Sequence, residues 1–243
     1  MEPNVIVSRD QWLAARRSLL DLEKEATHLR DRLNAARRAL PWVAVDKPYV
    51  FETPTGPRTL ADLFAGRSQL IVYHFMLGPG WAAGCTGCSF LSDHLDGALP
   101  HLAHHDVTLT AVSRAPLAEI EAYRRRMGWR FPWVSSFSSD FNRDFHVSFT
   151  PDDLAAGRVE YNFTSIDAAD ANDELPGLSA FYRDEAGQVF HTYSSYARGN
   201  EEFIGTLMLL DRAPLGRNEQ STMDFVRRHD EYENRPESCC GPS

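Results

Sequence analysis

The chain has 243 residues, enough for one elaborated domain or one domain with an added arm. Hydrophobic and charged residues make up 43% and 24% of it, as in an ordinary globular protein, and 34 acidic against 25 basic residues give a net charge of −9. That surplus argues against nucleic-acid binding, which needs cations to neutralise phosphates. The most apolar run, Leu70 to Leu77, is far too short to span a bilayer, so no membrane partner is expected. The opening Met-Glu-Pro-Asn-Val-Ile-Val has no basic segment leading into a long apolar one, so the chain reads as cytoplasmic, where thiols stay reduced.

Residues 1–41 read as an amphipathic helical arm. Ser8-Arg9-Asp10-Gln11 fits a capping box, and Trp12, Leu19, Leu22, Leu29, Leu33 and Leu40, with Ala15, Ala26 and Ala36 between them, recur every three or four residues. This is a heptad seam, stopped at Leu40-Pro41. It pairs with a second copy to make a homodimer or lies along its own domain, and its three alanines support only a modest coiled coil.

Residues 42–233 read as one α/β domain. Pro54-Thr-Gly-Pro57 is a turn between short extended pieces, Leu60 to Ala65 a short helix ended by Gly66, and Leu70 to Phe75 a buried strand. A loop with Gly78, Pro79, Gly80 and Gly84 leads to Cys85-Thr-Gly-Cys88, and a helical stripe of Phe90, Leu91, Leu95 and Leu99 follows. Val107 to Val112 is the next strand. A helix then begins near Pro116, with Leu117, Ile120, Tyr123 and Met127 on its buried face, and Gly128 ends it. Phe131 to Val134 is extended, and Leu178 to Phe181 with Val189 to Tyr193 form a hairpin through Asp184-Glu-Ala-Gly187. Asn200 is expected to cap a last helix, the acidic stretch Asp167 to Glu174 to be exposed, and residues 234–243 to be a disordered tail. Strand–helix alternation followed by a hairpin implies a mixed central sheet flanked by helices.

The four cysteines fall in two pairs, unlike a scattered disulfide framework: Cys85 and Cys88 within the domain, Cys239 and Cys240 in the tail. Cys-x-x-Cys in a cytosolic protein serves thiol redox chemistry or metal binding. Here it joins a strand to a helix, so Cys85 is expected in the first turn, where unpaired N–H groups and the helix dipole favour a thiolate. Cys88, one turn on, is placed to attack a mixed disulfide on Cys85 and release product. Zinc needs about four ligands. A two-cysteine, two-histidine site drawing on His94, His101, His104 or His105 and an inert buried pair stay open as weaker readings, and neither a metal nor a cofactor is expected.

Several long stretches resemble a known family. Tyr73-His-Phe-Met-Leu-Gly-Pro-Gly-Trp81, Gly84-Cys-Thr-Gly-Cys-Ser-Phe90, Arg126-Met-Gly-Trp-Arg-Phe-Pro-Trp-Val-Ser135 and His191-Thr-Tyr-Ser-Ser-Tyr-Ala-Arg-Gly199 look like the bacterial thioredoxin-like family called domain of unknown function eight-nine-nine. The resemblance implies a thioredoxin-like fold and supplies no activity. More distantly, Thr53 to Gly66 and Ser113 to Val134 are similar to the layout of peroxiredoxins, which implies a peroxiredoxin-like variant of that fold. Peroxiredoxins carry Thr or Ser three residues before the peroxidatic cysteine; here that residue is Ala82, which lowers the peroxidase reading. Glu174 to Phe181 resembles the thioredoxin loop with a cis-proline opposite the dithiol. The resemblance makes Pro176 that proline and implies that it exposes the backbone of Leu175 for pairing with a substrate.

Trp81 is a candidate wall of the site, and Arg114, after the strand ending at Val112, a candidate thiolate partner or plain salt-bridge residue. His74 reads as a hydrogen-bonded core residue. The leading expectation is a thiol-disulfide oxidoreductase with catalytic Cys85 and Cys88, acting on protein or small-molecule thiols and disulfides. The alternatives are a thiol peroxidase and a non-catalytic metal-binding or interaction protein.

Overall fold

A computed structural model describes residues 5–234; Cys239 and Cys240 lie outside them. The chain divides into two compact units, one up to Pro41 and one from Trp42.

The first unit is a single helix, α1 (Arg9–Arg38). The capping box forms: the Gln11 amide N–H donates to Ser8 Oγ at 3.3 Å, and the Ser8 N–H donates to Gln11 Oε1 at 3.0 Å. Arg37 and Arg38 lie in the last turn, where cations complement the helix dipole. By itself one helix buries none of its apolar seam.

In the second unit, β1 (Val43–Ala44), β2 (Val50–Phe51) and β3 (Arg58–Thr59) are short, and β4 (Gln69–His74) is the first long strand. Then come α2 (Thr86–Ser92), α3 (Leu99–His104), β5 (Val107–Ser113), α4 (Leu117–Met127) and β6 (Trp133–Ser135). Short helices α5 (Phe141–Asp144) and α6 (Pro151–Ala155) precede the hairpin β7 (Arg158–Tyr161) and β8 (Thr164–Asp167). The long strands β9 (Gly177–Arg183) and β10 (Val189–Tyr196) lead to α7 (Gly205–Leu210).

The main sheet has the order β1-β10-β9-β4-β5-β6. β4, β5 and β6 run parallel, and β9 and β10 are antiparallel. Its centre is thus a strand–helix–strand unit joined to a hairpin, with the hairpin's first strand beside the first strand of the unit. That is the thioredoxin-like arrangement, with helices on a mixed sheet.

The pleat of β4 divides the core in two. Tyr73 and, beyond the strand end, Phe75 face a cluster with Phe90, Leu91, Ile120, Trp129 and Trp133. Leu70 and Val72 face the other cluster, with Phe51, Phe64, Phe141 and Phe181. His74 points into this second side, stacks on Phe141 and Phe145, and its Nε2 bonds to Ser179 Oγ at 2.8 Å. Burial holds its pKa down at about 3, so it stays neutral, as expected of a core histidine.

Two expectations fail locally. Asn200 caps no α-helix: it sits buried in the 3-10 turn Ala197–Phe203, where its side-chain oxygen accepts from Ser195 Oγ at 2.6 Å. That internal partner removes it from capping duty. The acidic stretch is not wholly exposed either. Glu174 is 1% exposed, pairs with Arg114 and accepts from Ser148 Oγ at 2.6 Å, because residues 173–175 run antiparallel to 147–149 rather than as a free loop.

Burial outweighs both partners and raises the Glu174 pKa to about 7. The folded state therefore takes up a proton more readily than the unfolded one, and stability falls as pH rises through this range. Relative to Glu174→Gln, the wild-type protein should lose about 3 kcal/mol between pH 4.5 and 7.5, read as the pH dependence of the denaturation midpoints of the two proteins. Parallel curves would refute this.

Candidate functional site

Beyond β4 the chain leaves the sheet, loops through Leu77 to Ala83, and is drawn back when the Cys85 N–H donates to the Met76 carbonyl at 3.1 Å. Only glycine fits before the cysteine: a Cβ on Gly84 would lie 2.5 Å from the Phe75 ring and 2.7 Å from the Tyr123 ring. Cys85 is then the N-cap residue of α2, half-buried, while Cys88 in the first turn is 2% exposed. Both thiols are free.

Their surroundings push the two sulfurs apart. The Cys85 pKa is lowered to about 6, first by the Cys88 thiol donating to it. Burial opposes this, while the Cys88 and Gly87 backbone N–H groups and the charge of Arg228 add to it. The Cys88 pKa is raised, chiefly by burial and then by the neighbouring Cys85, although the Tyr73 hydroxyl donates to its sulfur. At neutral pH the pair holds one anion on the outer sulfur and one proton on the inner.

Arg228 arrives from the far end of the chain. Its Nη2 and Nε donate to the Gly84 carbonyl at 2.6 and 3.1 Å, and Nε also donates to Tyr123 Oη at 3.1 Å. Tyr123 Oη bonds to Ser89 Oγ, which donates to the Cys85 carbonyl at 2.8 Å. A cation, a phenol and a hydroxyl thus fix both carbonyls that flank Cys85. The same C-terminal segment sends Met223 toward Gly87, where an added Cβ would meet Met223 Cε at 3.3 Å and Cys85 Sγ at 3.9 Å. Beside them lies a cavity of about 220 Å³ lined by Tyr73, Cys85, Cys88, Leu91, Pro176, Ile204 and Met223, and also by the polar Arg198, Asn200 and Glu201.

Of the candidates read from sequence, the cavity brings together Cys85, Cys88 and Pro176. The peptide bond preceding Pro176 is trans. Leu175 offers no free donor, since its N–H is spent on the Val147 carbonyl at 2.8 Å, and Tyr161 Oη donates to the Pro176 carbonyl at 2.7 Å. Trp81 packs outside the cavity; its indole comes within 2.8 Å of where a Gly78 Cβ would stand. Arg114 also lies outside it, committed to Glu174 and to Asp173 at 2.9 Å. His94 bonds to the Phe90 carbonyl and to Thr206, each at 2.8 Å, and among the described residues no three His, Cys, Asp or Glu side chains converge as a metal site. Sequence reasoning missed Tyr73, Tyr123, Met223 and Arg228. Tyr73 alone had a usable signal, an aromatic hydroxyl on the strand that leads to the dithiol.

The family model described as "bacterial protein of unknown function (DUF899)" matches residues 1–232. The chain belongs to this family. No curated protein matches this family member. Solved structures similar to it include peroxidoxin BcpB from Mycobacterium tuberculosis, 14% identical with a TM-score of 0.44, covering 70% of this chain and 97% of that one. Peroxiredoxin Q from Xanthomonas campestris is 16% identical with a TM-score of 0.45, covering 71% and 98%. The mitochondrial 2-Cys peroxiredoxin from Plasmodium falciparum is 12% identical with a TM-score of 0.38, covering 72% and 94%.

The thiolate should be readable by alkylation. The iodoacetamide rate at Cys85 should rise through a midpoint near pH 6 and then level off. Arg228→Gln should move that midpoint to higher pH, and Arg228→Lys, which keeps the charge but loses the forked bond, should move it less. An unmoved midpoint in Arg228→Gln would remove the guanidinium from the account.

Proposed function

We propose that this protein is a thiol-disulfide oxidoreductase in which Cys85 is the nucleophile and Cys88 the resolving thiol. What carries the reading is the inequality of the two sulfurs, one half-buried and biased to ionise beside a cavity, the other buried and protonated one turn behind it. A thiol titrating near or below the working pH is largely thiolate yet still nucleophilic. The Cys85 thiolate attacks one sulfur of a disulfide, forming a mixed disulfide and releasing a thiolate that takes up a proton. Cys88 then gives up its proton and attacks Cys85 Sγ, closing the Cys85–Cys88 disulfide and releasing the second thiol. Two electrons pass from the protein to the substrate. The Tyr73 hydroxyl, bonded to Cys88, favours the charge that must form there in the second step.

Cys85→Ser should abolish disulfide reduction, and Cys88→Ser should accumulate a mixed disulfide visible by mass spectrometry. Tyr73→Phe should leave the first step within a few-fold of wild type and slow the second about tenfold, the scale of one hydrogen bond to a charged group. If both serine variants keep wild-type turnover, the proposal fails.

A low-pKa sulfur also suits attack on a peroxide, with Cys85 passing through a sulfenic acid that Cys88 resolves. Stopped-flow mixing with hydrogen peroxide separates the readings: a rate no faster than that of free cysteine leaves only disulfide exchange. The proposed chemistry needs the dithiol reduced, and the cytoplasm, where thiols are kept reduced, is the location we propose for it. Among the described residues no helix is long and apolar enough to cross a membrane. For the N-terminal helix we infer pairing with a second copy through its leucine seam. Leu22→Asp combined with Leu29→Asp should then convert a dimer to a monomer in sedimentation velocity.

A further inference from the structure

We infer that the natural substrate of the dithiol is a neutral, low-molecular-weight disulfide carrying short apolar groups, rather than a protein disulfide or a charged one; this rests on the oxidoreductase reading above. Three observations converge on it.

Polypeptide substrates dock by adding a strand to a free backbone edge, and here the neighbouring edge is already occupied. Residues 173–175 pair with 147–149: the Phe149 N–H donates to the Asp173 carbonyl at 3.0 Å, and the Leu175 N–H to the Val147 carbonyl at 2.8 Å. Pro176 has no N–H, and its carbonyl accepts from Tyr161 Oη. An incoming chain would have to break these bonds before making its own.

Covering the site from the other side, Met223 approaches Gly87 and Cys85, and the Arg228 fork ties the same segment to Gly84. What remains beside the sulfurs is a cavity of about 220 Å³ with walls of Tyr73, Leu91, Pro176, Ile204 and Met223. This is below the range typical of drug-sized ligands and suits a few carbon atoms on each side of a disulfide.

The charged groups that line the cavity, and Asn200 with them, already have partners. Arg198 pairs with Glu201 at 2.8 Å; Arg217, from which Glu201 also accepts at 3.4 Å, is itself held by Asp211 at 2.7 Å; and Asn200 is bonded to Ser195. They offer no uncompensated charge to a carboxylate-bearing disulfide such as oxidised glutathione, and the chain's net charge of −9 repels it.

The step is R–S–S–R plus the reduced dithiol giving two R–SH and the Cys85–Cys88 disulfide; a small dithiol such as dithiothreitol restores the protein between turnovers. The test is a single-turnover reaction of the full-length, pre-reduced protein with dimethyl, dipropyl and dihexyl disulfides, oxidised glutathione and insulin. Each rate constant is divided by the rate at which free dithiothreitol reduces the same compound. Dipropyl disulfide should exceed oxidised glutathione and insulin at least tenfold, with rates rising from dimethyl to dipropyl and falling at dihexyl. Met223→Trp and the milder Gly87→Ala, each adding atoms inside the cavity, should lower the dipropyl rate more than the dimethyl rate. Insulin or glutathione disulfide as fast as dipropyl disulfide, or a flat chain-length series, would overturn the substrate assignment while leaving the dithiol reading intact. Equal activity of Cys85→Ser on every compound would remove both.

Discussion

Two sulfur atoms of the same element and nearly the same position in the chain behave differently because one hydrogen bond between them has a direction. Cys88 donates and Cys85 accepts, and the surroundings enforce that order: backbone N–H groups and a guanidinium around the outer sulfur, tight burial around the inner one. Reversing the roles would place a charge where Cys88 is buried, and burying an ion without full compensation is far more unfavourable than burying a thiol. Much of the surrounding architecture serves this arrangement. The close approach of Phe75 and Tyr123 at Gly84, the Ser89 hydroxyl on the Cys85 carbonyl and the turn of α2 all hold the cysteines at fixed places.

The fold was largely legible because its signals are local. The apolar run around Leu70–Phe75, the run Val107–Val112, the stripe through Ile120 and Tyr123, and Asp184–Gly187 between two alternating segments each fix an element without reference to the rest. The position of Cys85 at the start of a helix followed from the same reasoning. What stayed hidden depends on distance in sequence. Arg158-Val-Glu-Tyr161 does alternate, but over only four residues, and Asn162 and Phe163 at the turn of the β7–β8 hairpin both adopt positive φ without a glycine to announce it. Glu174 looked like one more acid in an acidic stretch; its burial follows from pairing with 147–149, which no local pattern records.

The site shows the same division. The cysteines were read from a motif and Pro176 from a resemblance, and all three line the cavity, but the cation was sought at Arg114, on the expected sheet edge, and that side chain is taken by two carboxylates. The guanidinium at the thiol is Arg228, separated from Gly84 by 144 positions. A resemblance to the thioredoxin loop led to Leu175 as a docking edge, but the chain here has folded its own segment onto that edge.

The grip of Arg228 on Gly84 works in both directions. Whatever free energy the guanidinium contributes to the anion on Cys85, the anion returns to the placement of residues 223–228, since coupling between two groups is mutual. Closing the Cys85–Cys88 bond removes that anion. With the two sulfurs joined, residues 223–228 would lack that contribution to their placement, and the guanidinium would keep only its bonds to Gly84, Tyr123 and Glu231.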